Sequence, residues 1–129
     1  MSSRWRTVKK IDFHAHVVLH EREETDLVLN TSEMMLRVMD RNNVERAVIL
    51  PINYPEYFPL SLEEEEDWLR ANNDRQAALK RASGGRFICF ADCAIDGRYA
   101  LPERCVEELG RAVGKLDLQG IKVHPSNLK

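Results

Sequence analysis

The segment Asp12-Phe13-His14-Ala15-His16 sits in an apolar run from Ile11 to Leu19 near the N-terminus. Side chains alternate faces along an extended strand, so His14 and His16 share one face and Phe13 and Ala15 take the other. Two neutral imidazoles on one face, at the end of a buried strand, can grip one divalent cation. Asp12 shares their face deeper in the strand, where it would act as a supporting carboxylate for a ligand or as a buried structural group. His20, in the polar segment His20 to Glu24 that follows, reads as a surface residue.

A second constellation is Gly120-Ile121-Lys122-Val123-His124-Pro125. Alternation puts Lys122 and His124 on one face and Ile121 and Val123 on the other. A buried ammonium is costly without a partner, so a Lys and a His aimed into a strand-end cleft are candidates for substrate contact. His124 would face substrate, move a proton or approach the metal. Lys122 would pair with a carboxylate or stabilise developing negative charge, unless it snorkels past an open edge. Tyr54, Tyr57 and Phe58 follow the second strand in a Pro-punctuated loop, either as an aromatic lid or as loop packing. The acidic run Glu63 to Asp67 reads as a solvated face that complements a helix N-terminus.

Four short apolar segments read as the strands that must carry these groups: Ile11–Val18, Arg46–Ile52, Arg86–Cys93 and Gly120–His124. Near-continuous apolar runs predict parallel strands covered on both faces. Three helices fall between them. The first is capped by Thr31 or Ser32, turns Met35, Val38 and Met39 inward, and ends at Asn42-Asn43. The second opens with a capping box at Ser61-Leu62-Glu63-Glu64, passes through Trp68, Leu69 and Leu79, and stops at Gly84-Gly85. The third spans about Pro102 to Lys115, with Val106, Leu109 and Val113 as its apolar stripe. The order βαβαβαβ implies right-handed crossovers and a parallel sheet, and such sheets build sites at the C-terminal ends of their strands.

The chain has 129 residues, enough for one ordinary core. Its 43% hydrophobic and 31% charged residues are those of a globular protein. A net charge of −2 gives no electrostatic reason to expect nucleic acid or anionic lipid as a partner. No apolar stretch approaches a membrane span, and the N-terminus lacks the apolar core of a secretory signal. The odd set Cys89, Cys93 and Cys105 suits a reducing cytoplasm better than a disulfide framework. A soft-metal pair at Cys89 and Cys93 is the less common use of such residues.

Taken together, these residues resemble the amidohydrolase-related family of metal-dependent hydrolases and decarboxylases, the group that includes aminocarboxymuconate-semialdehyde decarboxylase. Ile11-Asp12-Phe13-His14-Ala15-His16 is similar to the family's first-strand metal motif. Ala71-Asn72-Asn73-Asp74, a helix, and Gly85-Arg86-Phe87-Ile88-Cys89-Phe90-Ala91 resemble its approach to strand three. Val106-Glu107-Glu108-Leu109-Gly110-Arg111-Ala112-Val113, leading to Gly120-Ile121-Lys122-Val123-His124-Pro125, resembles its third helix and fourth strand.

The resemblance covers the chain from Lys10 onward and implies a (β/α)₈ barrel, a fold that typically takes about 250 residues. Residues 1–129 are then expected to form its first half, a partial amidohydrolase-type domain of about four parallel strands truncated on the C-terminal side. By resemblance His14 and His16 are the metal ligands, the divalent metal is expected to be zinc, and the further metal-binding His, the late-strand Asp and the catalytic histidine lie outside this sequence. His124 matches a fourth-strand position instead.

The expected activity is hydrolysis, with metal-activated water attacking an amide, ester or lactone carbon of a small molecule. The alternative inside the family is non-oxidative decarboxylation of a small unsaturated or aromatic acid. Outside it stand a phosphoesterase with a similar His-x-His start, and a catalytically inactive half-barrel that acts through association. Open half-barrel edges would favour a homo-oligomer in either case.

Overall fold

The computed structural model describes residues 7–17, 31–52, 61–93 and 102–123. Strand β1 (Lys10–Ala15) is followed by α1 (Ser32–Asn42), β2 (Val44–Ile49), α2 (Leu62–Ala82), β3 (Phe87–Cys89), β4 (Ala91–Asp92), α3 (Pro102–Gly114) and β5 (Ile121–Lys122). Among the described residues all pairings are parallel: β1 with β2, β2 with β3, and β4 with β5. Among the described residues the expected βαβ succession is therefore present as an open parallel arrangement rather than a closed barrel.

The helix ends follow local chemistry. Thr31 caps α1 by accepting the Met34 amide, and Asn43 closes it in the left-handed region at φ 56°. At the start of α2, Ser61 Oγ accepts the Glu64 amide while the Glu64 carboxylate accepts the Ser61 amide, which completes the expected capping box. Gly84 and Gly85 turn the chain away at positive φ.

The segment expected as one strand over Arg86–Cys93 is split around Phe90, and the split changes its partner. Phe90 donates its amide to Ile49 on the β2 side, whereas Ala91 donates to Gly120 on the β5 side. The Phe90 ring lies so close over Gly120 that an added Cβ there would sit 2.7 Å from it. Glycine at 120 is what lets β5 approach.

The core gathers Ala15, Val17, Met39, Ala47, Ile49, Ala77, Phe87, Cys89, Ala91, Ala112 and Leu118. Four expectations are corrected. Strand β1 is not covered on both faces: Ile11 is 49% and Phe13 75% exposed, because this edge strand carries no layer over its second face among the described residues. Val38 and the α3 stripe Val106 and Val113 point outward, and α3 instead buries Glu108 and Ala112. A carboxylate takes the inward position there because it is held by Asn73 and Arg111. Glu65 is buried, so the acidic run is not wholly a solvated face. Finally, β1 ends at Ala15, which leaves His16 just beyond the regular strand.

Candidate metal centre

His14 and His16 do converge. Their Nε2 atoms are 3.1 Å apart, and the rings meet edge-to-face with centroids 5.0 Å apart. His14 is exposed and His16 half-buried. His16 Nδ1 lies 2.9 Å from the carbonyl oxygen of Leu50, at the end of β2. A carbonyl only accepts, so Nδ1 carries the proton and a neutral His16 presents a bare Nε2 lone pair toward His14. Desolvation holds the His16 pKa below its ordinary value, and although the Leu50 carbonyl raises it, the charges of Lys122 and His14 lower it further. An imidazole kept neutral and fixed in orientation is a prepared ligand.

The spacing fits a cation. Two nitrogens bound to one ion at about 2.0–2.1 Å stand roughly 3.0 Å apart at a right angle and roughly 3.4 Å apart at a tetrahedral one. Without the ion, two bare lone pairs at 3.1 Å would repel, so a proton on His14 Nε2 fills the gap by donating to His16. A divalent cation would take that proton's place. Asp12 Oδ1 accepts the backbone amide of His14 at 3.0 Å, so its carboxylate braces the strand just before the two histidines.

Lys122 reaches the same mouth. It stands in register with Asp92, and its Nζ donates to the Pro51 carbonyl at 2.9 Å, one residue beyond the carbonyl that orients His16. Its charge acts on both His16 and Asp92. The ammonium is thus part-buried and anchored on a backbone oxygen rather than loose at an edge. His124, His20, Tyr54, Tyr57 and Phe58 lie outside the described residues. Among the described residues, no group of three or more His, Cys, Asp or Glu side chains could hold a metal ion, so the two histidines stand as a pair there and Cys89 and Cys93 belong to no such cluster.

Behind the mouth lies a polar network that the apolar patterning of the sequence does not expose. Asn73, on α2, accepts the Asp92 amide at 2.8 Å and donates to the Asp92 carbonyl at 3.3 Å and to Glu108 at 2.9 Å. Asn72 donates to the Asp92 carboxylate at 3.0 Å. Arg111 holds Glu108 through two hydrogen bonds, and reaches Asp74 at 2.7 Å. Burial pushes the Asp92 carboxyl up to about 6, against the lowering effects of Asn72, Lys122 and the Cys93 amide. The signal was available: adjacent asparagines on the inner side of a helix, facing an aspartate inside an apolar strand. The anchoring carbonyls of Leu50 and Pro51 carry no such signal, since every residue has one.

No family model matches this sequence, and no curated protein matches it. Solved structures do resemble its fold. A 2,6-dihydroxybenzoate decarboxylase from Rhizobium superposes with a TM-score of 0.66 at 21% identity over 88% of this chain and 37% of its own. A dihydroxybenzoic acid decarboxylase from a Polaromonas species, with bound manganese and the inhibitor 2-nitroresorcinol, gives 0.66 at 20% identity over 88% of this chain and 37% of its own. An amidohydrolase II gives 0.69 at 18% identity over 88% of this chain and 39% of its own. The chain is structurally similar to amidohydrolase and decarboxylase enzymes and spans well under half the length of those it matches. What it shares with them at this identity is the fold.

Proposed function

We propose that this chain carries the first two ligands of a divalent-metal site, His14 and His16, in a metal-dependent enzyme that acts on a small carboxylate-bearing molecule. The observation that carries the reading is the 3.1 Å approach of the two Nε2 atoms at a strand end, with Lys122 held beside them. A cation bound there, zinc by the chemistry of the donors, would supply Lewis acidity, polarising a carbonyl and acidifying water. The chain's own residues do the rest. Leu50 and Asp12 orient the ligands, His16 stays neutral, and Lys122 presents a positive charge to an anionic group of the substrate.

The first reaction supported is hydrolysis at an amide, ester or lactone carbon, the chemistry suggested by the amidohydrolase relatives in fold. The second is non-oxidative decarboxylation of a small aromatic acid, favoured by the likeness to dihydroxybenzoate decarboxylases and the manganese in one of them. In both, Lys122 would hold a carboxylate or balance negative charge as it develops.

An assay with zinc or manganese, on a protein that carries this chain together with the remaining ligands of the site, separates the two. Carbon dioxide release from dihydroxybenzoic acids supports decarboxylation, and ring opening or amide cleavage without carbon dioxide supports hydrolysis. The reading requires either activity to fall at least about 100-fold in His14→Ala, as for loss of a metal ligand. Activity that persists in that variant contradicts it.

A further inference from the structure

The described strands occupy four positions, because β3 and β4 are one run of chain broken at Phe90. All of them pair in parallel, and among the described residues the set ends in two open edges, β1 on one side and β5 on the other. Nine large apolar side chains are exposed among the described residues, and six of them stand at these two sides. Ile11 and Phe13 project from β1, while Ile121 and Val123 lie in β5 and just after it. The other two, Val106 and Val113, are on α3. Each follows by two residues an arginine paired with α2, Arg104 with Glu66 and Arg111 with Asp74, so each points about 200° further round the helix. Since α2 packs on β3 and β4, the flank of α3 turned away from it is on the β5 side.

We infer that this surface takes a second copy of the chain. Two copies pair about a two-fold axis parallel to the strands, with β1 of each beside β5 of the other, and their strands close one shared (β/α)₈ barrel. A parallel edge such as β1 accepts a strand that runs in its own direction, and β5 runs so. The two open sides of one chain therefore complement each other. A two-fold axis uses both at once and leaves no edge unpaired. No described helix covers either seam, so Ile11 and Phe13 of one copy and Val106 and Val113 of the other would shield one another there. The six side chains expose on the order of 600 Å² per chain, and the adjoining strand edges bring this to the roughly 800 Å² per partner of a stable dimer.

The histidine pairs of both copies would open into one shared mouth, each still holding one ion. That consequence rests on the metal reading above. The dimer itself does not, because the metal-free chain tests it.

The test is sedimentation velocity of the metal-free full chain over a concentration series up to about 200 μM, with circular dichroism to verify folding. The expected result is a reversible rise to twice the 14.9 kDa of one chain. Phe13→Lys and Val113→Glu should each weaken the dimer at least about tenfold when alone. Mixed in equal amounts they should associate again, because the mixed pair keeps one unaltered seam and sets opposite charges in the other. A chain that stays monomeric throughout would overturn the inference. So would a dimer that Phe13→Lys breaks and Val113→Glu does not, since that result means β1 against β1, and so would a mixture that fails to recover. Should a variant not fold, hydrogen exchange of the unaltered chain decides. Amides of β1 and β5 should gain protection from dilute to concentrated solution while those of β2 do not, and unchanged protection at β1 and β5 would contradict the shared barrel.

Discussion

Asn73 holds Asp92 by both of its backbone polar groups, accepting the amide at 2.8 Å and donating to the carbonyl at 3.3 Å. A side-chain amide substitutes here for a neighbouring strand. It also ties α3 to the same clamp, because the same Nδ2 reaches Glu108 on that helix. Since Asp92 is the register partner of Lys122, the clamp on α2 helps to set where the ammonium at the mouth can stand.

Asn73→Ala is therefore expected to be among the costlier single changes. It would leave the Asp92 amide and a Glu108 oxygen short of a partner in a buried site, a loss of about 2–4 kcal/mol. Urea unfolding monitored by circular dichroism measures it. A loss below about 0.5 kcal/mol would show that water or a rearrangement replaces the clamp.

Asp92 itself predicts a pH dependence. Its carboxyl is raised in the folded chain from 3.8 to about 6, chiefly by burial. A raised group contributes stability that is fully present below its unfolded value and is lost as pH rises through its folded value. Asp92 therefore costs stability progressively between about pH 4 and pH 6. Asp92→Asn removes that titration while keeping the side chain's size. Its unfolding free energy should gain on that of the parent across this window, by on the order of 1–3 kcal/mol. A constant difference between pH 4 and pH 7 would contradict the burial argument.

Gly120→Ala should cost about 1–3 kcal/mol, because its Cβ would meet the Phe90 ring. The cause is steric, so the added cost should largely vanish when the same change is made in a Phe90→Leu background. Thermal melts of the four chains give the coupling. Simple additivity would place the strain elsewhere.

Phe13 and Phe87 make a contrasting pair. Phe13 is 75% exposed and Phe87 only 1%. In the dilute, monomeric chain Phe13→Ser should change stability by no more than about 0.5 kcal/mol, whereas Phe87→Ala should cost about 3–5 kcal/mol. Comparable losses at both positions would mean that the rest of the same chain covers the open face of β1.

Much of this architecture was legible from residue types. The capping box at Ser61 and the Thr31 and Asn43 caps depend on chemistry within a few positions, and the alternation that puts His14 and His16 together needs only an extended backbone. Less was legible where tertiary partners decide. Val106 and Val113 look like a buried stripe, yet Glu108 goes inward because Asn73 and Arg111 satisfy it. The break at Phe90 arises where one strand leaves β2 for β5, and no local pattern marks that exchange. The orientation of His16 and Lys122 rests on the Leu50 and Pro51 carbonyls, which any residue there could supply.

Titration of the metal-free chain with zinc, followed by calorimetry at pH 7.5, tests the paired histidines most directly. One ion per chain is expected, released by a chelator, with affinity reduced at least about tenfold in His14→Ala and in His16→Ala alike. Stoichiometric binding that survives both substitutions, or no heat of binding in the unaltered folded chain, would contradict the assignment.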